Sequence, residues 1–146
     1  MIASSLSGAI QLPDGTWVRG RGLRSPAPAD SPDFGLYLGG SKLRARFPSF
    51  DWAHEWIDWP DFWVPRDRHA AVRGIHALYD LAKSGKRVEV ACGGGNGRTG
   101  TVLACLAILA GEQPANAVAW TRANYRKSAV ETPWQRWWVL RFSAAG

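Results

Sequence analysis

Cysteine, histidine, methionine and lysine are all scarce in this sequence: two, three, one and four residues of 146. Two cysteines, Cys92 and Cys105, allow one disulfide at most, so no disulfide framework is expected. No histidine cluster stands near them, which argues against a zinc site. His54, His69 and His76 have no ligand or catalytic-base spacing. Long apolar runs are missing too. The longest lies around residues 101–110, well short of the roughly 20 residues that cross a bilayer, so no membrane span is expected. The opening MIASSLSGAI lacks the basic region and apolar core of a secretory signal, and the cytoplasm is the expected location. No dense run of lysine and arginine appears, and no basic stretch interleaved with aromatics, so no specific nucleic-acid partner is expected.

What is present is a chain long enough for one domain, taken here as residues 1–146. A domain of that length buries roughly 68–70% of its unfolded surface. Apolar residues make up 46% and tryptophans number nine, which points to an aromatic-rich core or groove. The formal net charge is +6, with fourteen arginines, a balance that favours anionic partners such as phosphoesters.

Residues 8–20 read as a strand, a turn at Asp14-Gly15 and a second strand. The proline-rich stretch 21–33 reads as a surface loop, 34–40 as a short strand and turn, and 49–65 as one short strand with a long loop. From Pro65 the apolar positions Val72, Ile75, Leu78, Tyr79 and Ala82 recur at helical spacing, and Gly85 is a stop. Residues 87–91 read as a buried strand and 98–110 as a largely buried helix, with Cys105 as core packing. Pro114 opens another helix through Ala123. The last helix starts at TPWQ, with Thr132 as N-cap, Pro133 at the first position and Gln135 closing a capping box. Strands mixed into the first half and helices dominating the second give an α/β or α+β class.

The glycine-rich stretch ACGGGNGRTGT, 91–101, falls between the buried strand and the buried helix. Backbone N–H groups and the helix dipole can hold a phosphate there. Gly95 to Gly100 is formally the G-x-G-x-x-G dinucleotide fingerprint, but no Asp or Glu follows between Gln113 and Val130 to take the ribose. The nucleotide P-loop G-x-x-x-x-G-K-[ST] would need Cys92 to be glycine and Arg98 to be lysine. The third reading is C-x-x-x-x-x-R from Cys92 to Arg98, followed by Thr99. Helix N-termini and nearby arginine favour a thiolate nucleophile, and arginine's planar fork holds two phosphate oxygens. The Thr99 hydroxyl can hydrogen-bond the sulfur. Covalent phosphoryl transfer also needs an acid for the leaving oxygen, on a loop that can close over the site. DWPDFWVP, 58–65, offers Asp61, with Asp58 the weaker candidate and Trp59 and Pro60 shaping the loop.

These segments together resemble the cysteine-based protein tyrosine phosphatase superfamily. WPDFWVP is similar to its acid loop W-P-D-x-G-V-P, and VACGGGNGRTGT to its signature V-H-C-x-x-G-x-G-R-T-G. TRANYRKSAVETPWQRWW, 121–138, is similar to R-x-x-R…V-Q-T-x-x-Q-Y, with Arg122, Arg126, Val130, Thr132 and Gln135 in register. The resemblance covers residues 55–142, and the chain's size is close to the small bacterial and dual-specificity members.

The resemblance implies a phosphatase-like fold with a central mixed sheet flanked by helices. It implies metal-independent hydrolysis of phosphomonoesters, foremost protein phosphotyrosine, with no cofactor. Cys92 would form a phosphocysteine. The backbone of Gly93, Gly94, Gly95, Asn96, Gly97 and Arg98, with the Arg98 side chain, would bind the phosphate. Asp61 would protonate the leaving alcohol and then activate water, which Gln135 or Glu131 would orient. Three positions depart from the pattern: Ala91 replaces a histidine, Glu131 a glutamine and Trp63 a glycine. Other readings are a phosphatase of a small phosphorylated metabolite or inositol phosphate, and a weakly active phospho-binding module. The substrate would be a phosphorylated protein or a small phosphoester.

Overall fold

Strand β5 (Val88–Cys92) is buried at every residue and lies in the middle of a five-stranded sheet of order β1-β2-β5-β3-β4. Its run Val-Glu-Val-Ala-Cys explains the place, since a strand covered on both faces tolerates apolar residues throughout. Its neighbours are β2 (Trp17–Gly22) and β3 (Phe34–Gly39), both parallel to it, and β4 (Ala53–Asp58) is parallel to β3. Strand β1 (Ile10–Gln11) is antiparallel, paired with β2 around the Asp14-Gly15 turn. The computed structural model describes residues 5–142; Met1 to Ser4, part of the opening read above for a signal, and residues 143–146 lie outside the described residues. No helix among the described residues is long and apolar enough to cross a membrane.

Alternation along the strands separates two faces. Leu36, Leu38, Val88 and Val90 point into the main core, against α2 (Arg68–Lys83), α3 (Gly97–Leu109), α4 (Pro114–Asn124) and α5 (Pro133–Arg141). Helix α3 is buried at all but its last residue, which fits a sequence with no polar stripe. The opposite face carries Tyr37 and Ala91, covered by Leu43 of the short helix α1 (Ser41–Arg46) and by Phe47, Phe50 and Trp56. The mixed sheet flanked by helices is the architecture expected from the sequence.

The second face also holds a buried ion cluster. Glu89 is fully buried and accepts from Arg19 Nη2 (2.7 Å), Arg21 Nε (2.9 Å) and Tyr37 Oη (2.7 Å). Burial pushes the Glu89 carboxyl up, but the hydrogen bonds and charge of Arg21, with Tyr37 and Arg19, outweigh it and hold the group below the ordinary glutamate value. The cluster ties β2 to β5 just before both strands reach the site.

Several local expectations change. The stretch 21–33 is not simply a surface loop: Arg21 and Gly22 finish β2, and Leu23 and Pro32 are buried. Helix α1 was not legible, because six residues are too few to show a period. The tryptophans are not mainly core: of the nine, only Trp59 and Trp138 are buried, while Trp63, Trp134 and Trp137 are exposed. The capping box at Thr132 and Gln135, with Pro133 in the first turn, is present as read.

Candidate active site

The parallel strands β2, β5 and β3 all end on one side of the molecule, where ligands of open α/β sheets gather. There the chain leaves β5 at Cys92, loops through Gly93 to Asn96 and enters α3 at Gly97. Cys92 is 2% exposed, and its sulfur accepts two hydrogen bonds, from the Gly95 N–H (3.2 Å) and the Thr99 hydroxyl (3.1 Å). Both donors stabilise negative charge on sulfur.

The loop's carbonyls are taken up from outside. Leu23 N–H donates to Cys92 O (2.8 Å) and Arg24 N–H to Gly93 O (3.0 Å), continuing the β2–β5 ladder beyond the strands. Tyr125 Oη donates to Gly95 O (2.7 Å), and Arg126 Nη1 to Gly94 O (3.1 Å) and Asn96 Oδ1 (3.2 Å). Burial pushes the Tyr125 phenol up to about 12, so it remains a donor across the neutral range. These bonds fix the loop in the conformation in which the Gly95 N–H meets the sulfur. Gly95 is needed for this geometry: its φ is +81°, and a Cβ there would come within 2.6 Å of Gly22 N. Arg122 holds the next turn through Ala129 O (2.8 Å) and Val130 O (2.7 Å). Val130 itself has φ 62°, a costly conformation for a β-branched residue that those two bonds fix.

Arg98 joins this loop to residues 58–65. Its side chain is 4% exposed; Nη1 donates to Trp59 O (3.0 Å) and Nη2 pairs with Asp61 Oδ1 (3.2 Å). Its Nε is buried with no partner. An unpaired buried guanidinium N–H is expensive, and here it belongs to a residue lining a cavity of about 110 Å³ together with Cys92, Asp61, Phe62, Glu131 and Arg24. Gly94, Asn96 and Gly97 complete the lining. Asp58 is elsewhere: it pairs with Arg66 at 3.3 Å on an exposed surface.

The loop carrying Asp61 is held by aromatic and amide groups. Buried Trp59 donates from Nε1 to Trp63 O (2.7 Å), Gln135 Nε2 donates to the same carbonyl (3.0 Å), and Trp134 Nε1 donates to Phe62 O (2.5 Å). Trp63 packs on Trp134 at 5.2 Å between ring centroids. The bulky side chain that stands at the expected glycine position therefore has a seat on α5.

Cys92, Arg98, Asp61 and Glu131 thus meet at one cavity, with Thr99 on the sulfur. Gln135 does not line it: Oε1 accepts from the N–H of Glu131 (3.0 Å) and Thr132 (3.3 Å), and Nε2 serves the acid loop. Ala91 is fully buried beside Tyr37 and Leu43, with no polar group of its own to offer the sulfur. Arg24 was missed by sequence reasoning. It sits in a loop with no motif, and a Cβ on Gly93 would come within 2.5 Å of its Nη1; only the β2–β5 pairing brings it there.

The family model described as "PTP-SAK: Swiss Army Knife protein, DSP-PTPase phosphatase domain" matches residues 60–141. An uncharacterized protein of Methanocaldococcus jannaschii is 36% identical over 89 residues, covering 57% of this chain and 59% of that protein. Protein-tyrosine-phosphatase PTP1 of Arabidopsis thaliana is 36% identical over 80 residues, 52% of this chain and 24% of its own length. The chain therefore spans 59% of the first relative's length and 24% of the second's. Among solved structures, Tk-PTP in the active form superposes with a TM-score of 0.70 at 23% identity, over 95% of this chain and 97% of that one, a likeness of fold.

Proposed function

The chain belongs to the DSP-PTPase phosphatase domain family, and from that membership we propose that residues 1–146 form one domain hydrolysing phosphomonoesters, foremost protein phosphotyrosine, through a phosphocysteine. The observation that carries the reading is the Arg98 side chain, buried with an unpartnered Nε–H at the cavity that holds the Cys92 sulfur. An arriving phosphate gives that donor a partner.

In the first step the Cys92 thiolate attacks phosphorus. The S–P bond forms as the P–O bond to the leaving group breaks, and Asp61 gives its proton to the departing oxygen. The backbone N–H groups of Gly93 to Arg98 and the Arg98 fork hold the three equatorial oxygens, where charge gathers. In the second step Asp61 takes a proton from water, the water oxygen attacks phosphorus and the S–P bond breaks, which returns the thiolate and releases phosphate. Glu131, whose side chain lines the cavity, is better placed than Gln135 to orient that water. Cysteine chemistry of this kind needs a reducing compartment, which supports the cytoplasm.

A substrate with a further anionic group, such as a phosphorylated metabolite or inositol phosphate, is a second reading. It is favoured by Arg24, a cation at the cavity with no ion-pair partner among the described residues. The test is hydrolysis of para-nitrophenyl phosphate in EDTA. Activity is expected for the wild type and none for Cys92→Ser. Substantial turnover by Cys92→Ser, or a requirement for added metal, contradicts the mechanism. Phosphate binding without turnover in the wild type would leave a binding module. Comparing kcat/KM for a phosphotyrosyl peptide and an inositol phosphate ranks the two substrate classes.

A further inference from the structure

Six large apolar side chains are exposed among the described residues, and five share one surface: Phe62 (54%), Trp63 (51%), Trp134 (42%), Trp137 (57%) and Leu140 (48%). Trp134 touches the acid loop through Phe62 O and the Trp63 ring. Trp134, Trp137 and Leu140 follow one another at three-residue spacing along α5, so neighbours on the helix surface continue the patch. A contiguous apolar area of this kind marks an interaction site.

The cations around it indicate the partner. Arg68, Trp137, Trp138 and Arg141 line a groove of about 290 Å³ with no carboxylate among the lining residues. Arg141 stacks over Trp137 at 4.3 Å and Arg68 over Trp138 at 5.3 Å. Helix α5 carries Arg136 and Arg141 and no acidic residue. Of the acids nearby, Asp67 caps α2 through the Ala70 N–H, Asp58 pairs with Arg66 and Asp61 with Arg98, while Glu131 faces the cavity with Arg24 and Arg98 rather than the α5 groove. Tryptophan, with an apolar body and one N–H donor, suits the layer between water and hydrocarbon, and arginines beside it match anionic headgroups.

We propose that the α5 face, with Phe62 and Trp63 of the acid loop, docks on an anionic phospholipid bilayer. The helix lies on the surface rather than crossing it. Because Phe62 and Trp63 follow Asp61 directly, docking brings the cavity mouth to the membrane plane, where phosphorylated groups at that surface reach Cys92. The binding step does not depend on the substrate assignment above.

Flotation with vesicles of phosphatidylcholine alone, and of phosphatidylcholine with phosphatidylglycerol, tests this at roughly physiological salt. The wild type is expected to float with the anionic vesicles and stay behind with the zwitterionic ones. Trp137→Ala with Leu140→Ala should abolish flotation. Arg136→Glu with Arg141→Glu should weaken it at least about 25-fold, about a factor of five for each arginine removed. Neither pair touches the cavity, so hydrolysis of para-nitrophenyl phosphate should match the wild type and show that the fold is intact. The arginine pair serves alone if the apolar pair fails to fold. No binding by the wild type, equal binding to both vesicle types, or unchanged binding by a folded variant overturns the proposal. A wild-type dimer that Trp137→Ala dissolves, with no vesicle binding, would assign the face to a second copy of the chain.

Discussion

The phosphate cradle and the acid loop meet at Arg98 but are held in different ways. The cradle is an extension of the sheet: Leu23 and Arg24 continue the β2 ladder onto Cys92 O and Gly93 O, and Tyr125 and Arg126 close the far side. The acid loop relies on side chains for three carbonyls, those of Trp59, Phe62 and Trp63, which take donors from Arg98, Trp134, Trp59 and Gln135. Backbone ladders are cooperative with the whole sheet, whereas side-chain ties can be released one at a time. The difference suits the proposed chemistry, which asks for a fixed frame around a phosphate and for Asp61 on a segment tied by separable contacts, although Trp59 N–H also bonds Gly39 O of β3 (3.2 Å).

Breaking the joint itself should have the largest effect. Arg98→Ala removes the phosphate fork and the tie to Trp59 and Asp61 together, and kcat/KM on an aryl phosphate should fall at least about 10³-fold. Arg98→Lys should recover little, because a point charge does not replace the fork. Next comes the acid loop's own group: Asp61→Asn should lower turnover roughly 10²–10⁴-fold. That loss should shrink on substrates whose leaving groups need no proton; a constant loss across leaving groups would remove Asp61 from the acid role.

Behind the cradle, Glu89→Gln should cost about 3–5 kcal/mol of stability, since Arg19 and Arg21 lose a buried partner, read as a shift in the denaturant midpoint. The folded Glu89 carboxyl lies below its ordinary value of 4.5. Its contribution is therefore complete above that value and lost as acid passes the lowered folded one. Wild type and Glu89→Gln should converge in stability at strongly acidic pH; a gap that persists there would mean the charge is not the cause. The smallest expected effect is Trp134→Phe, which deletes one donor to the acid loop. A hydrogen bond worth about 0.5–1.5 kcal/mol predicts a few-fold change in kcat, with the alkylation rate of Cys92 unaltered. A change in that rate would mean the cradle depends on α5 as well.

The same contrast governs what the sequence revealed. Cys92, Arg98, Thr99 and Asp61 sit in short local motifs, because their geometry is set by a few consecutive residues. Arg24, Tyr125 and the Glu89 cluster were not legible, since strand register and helix packing bring them in from distant segments. Gln135 was legible in its capping role but not in its tie to Trp63 O, which needs the acid loop folded against α5. Most of the strands and longer helices followed from period and punctuation, while α1 was too short to register.

The central claim is that Cys92 carries the phosphoryl group between two steps that share Asp61. It is tested most directly by mass spectrometry of Asp61→Asn after a rapid denaturing quench during turnover of a substrate with a good leaving group. Loss of the base in the second step should let the intermediate accumulate. A phosphoryl adduct is expected on Cys92, within the tryptic peptide Val88 to Arg98, and none in Cys92→Ser. Steady turnover with no adduct on that peptide, or with an adduct on another residue, would contradict it.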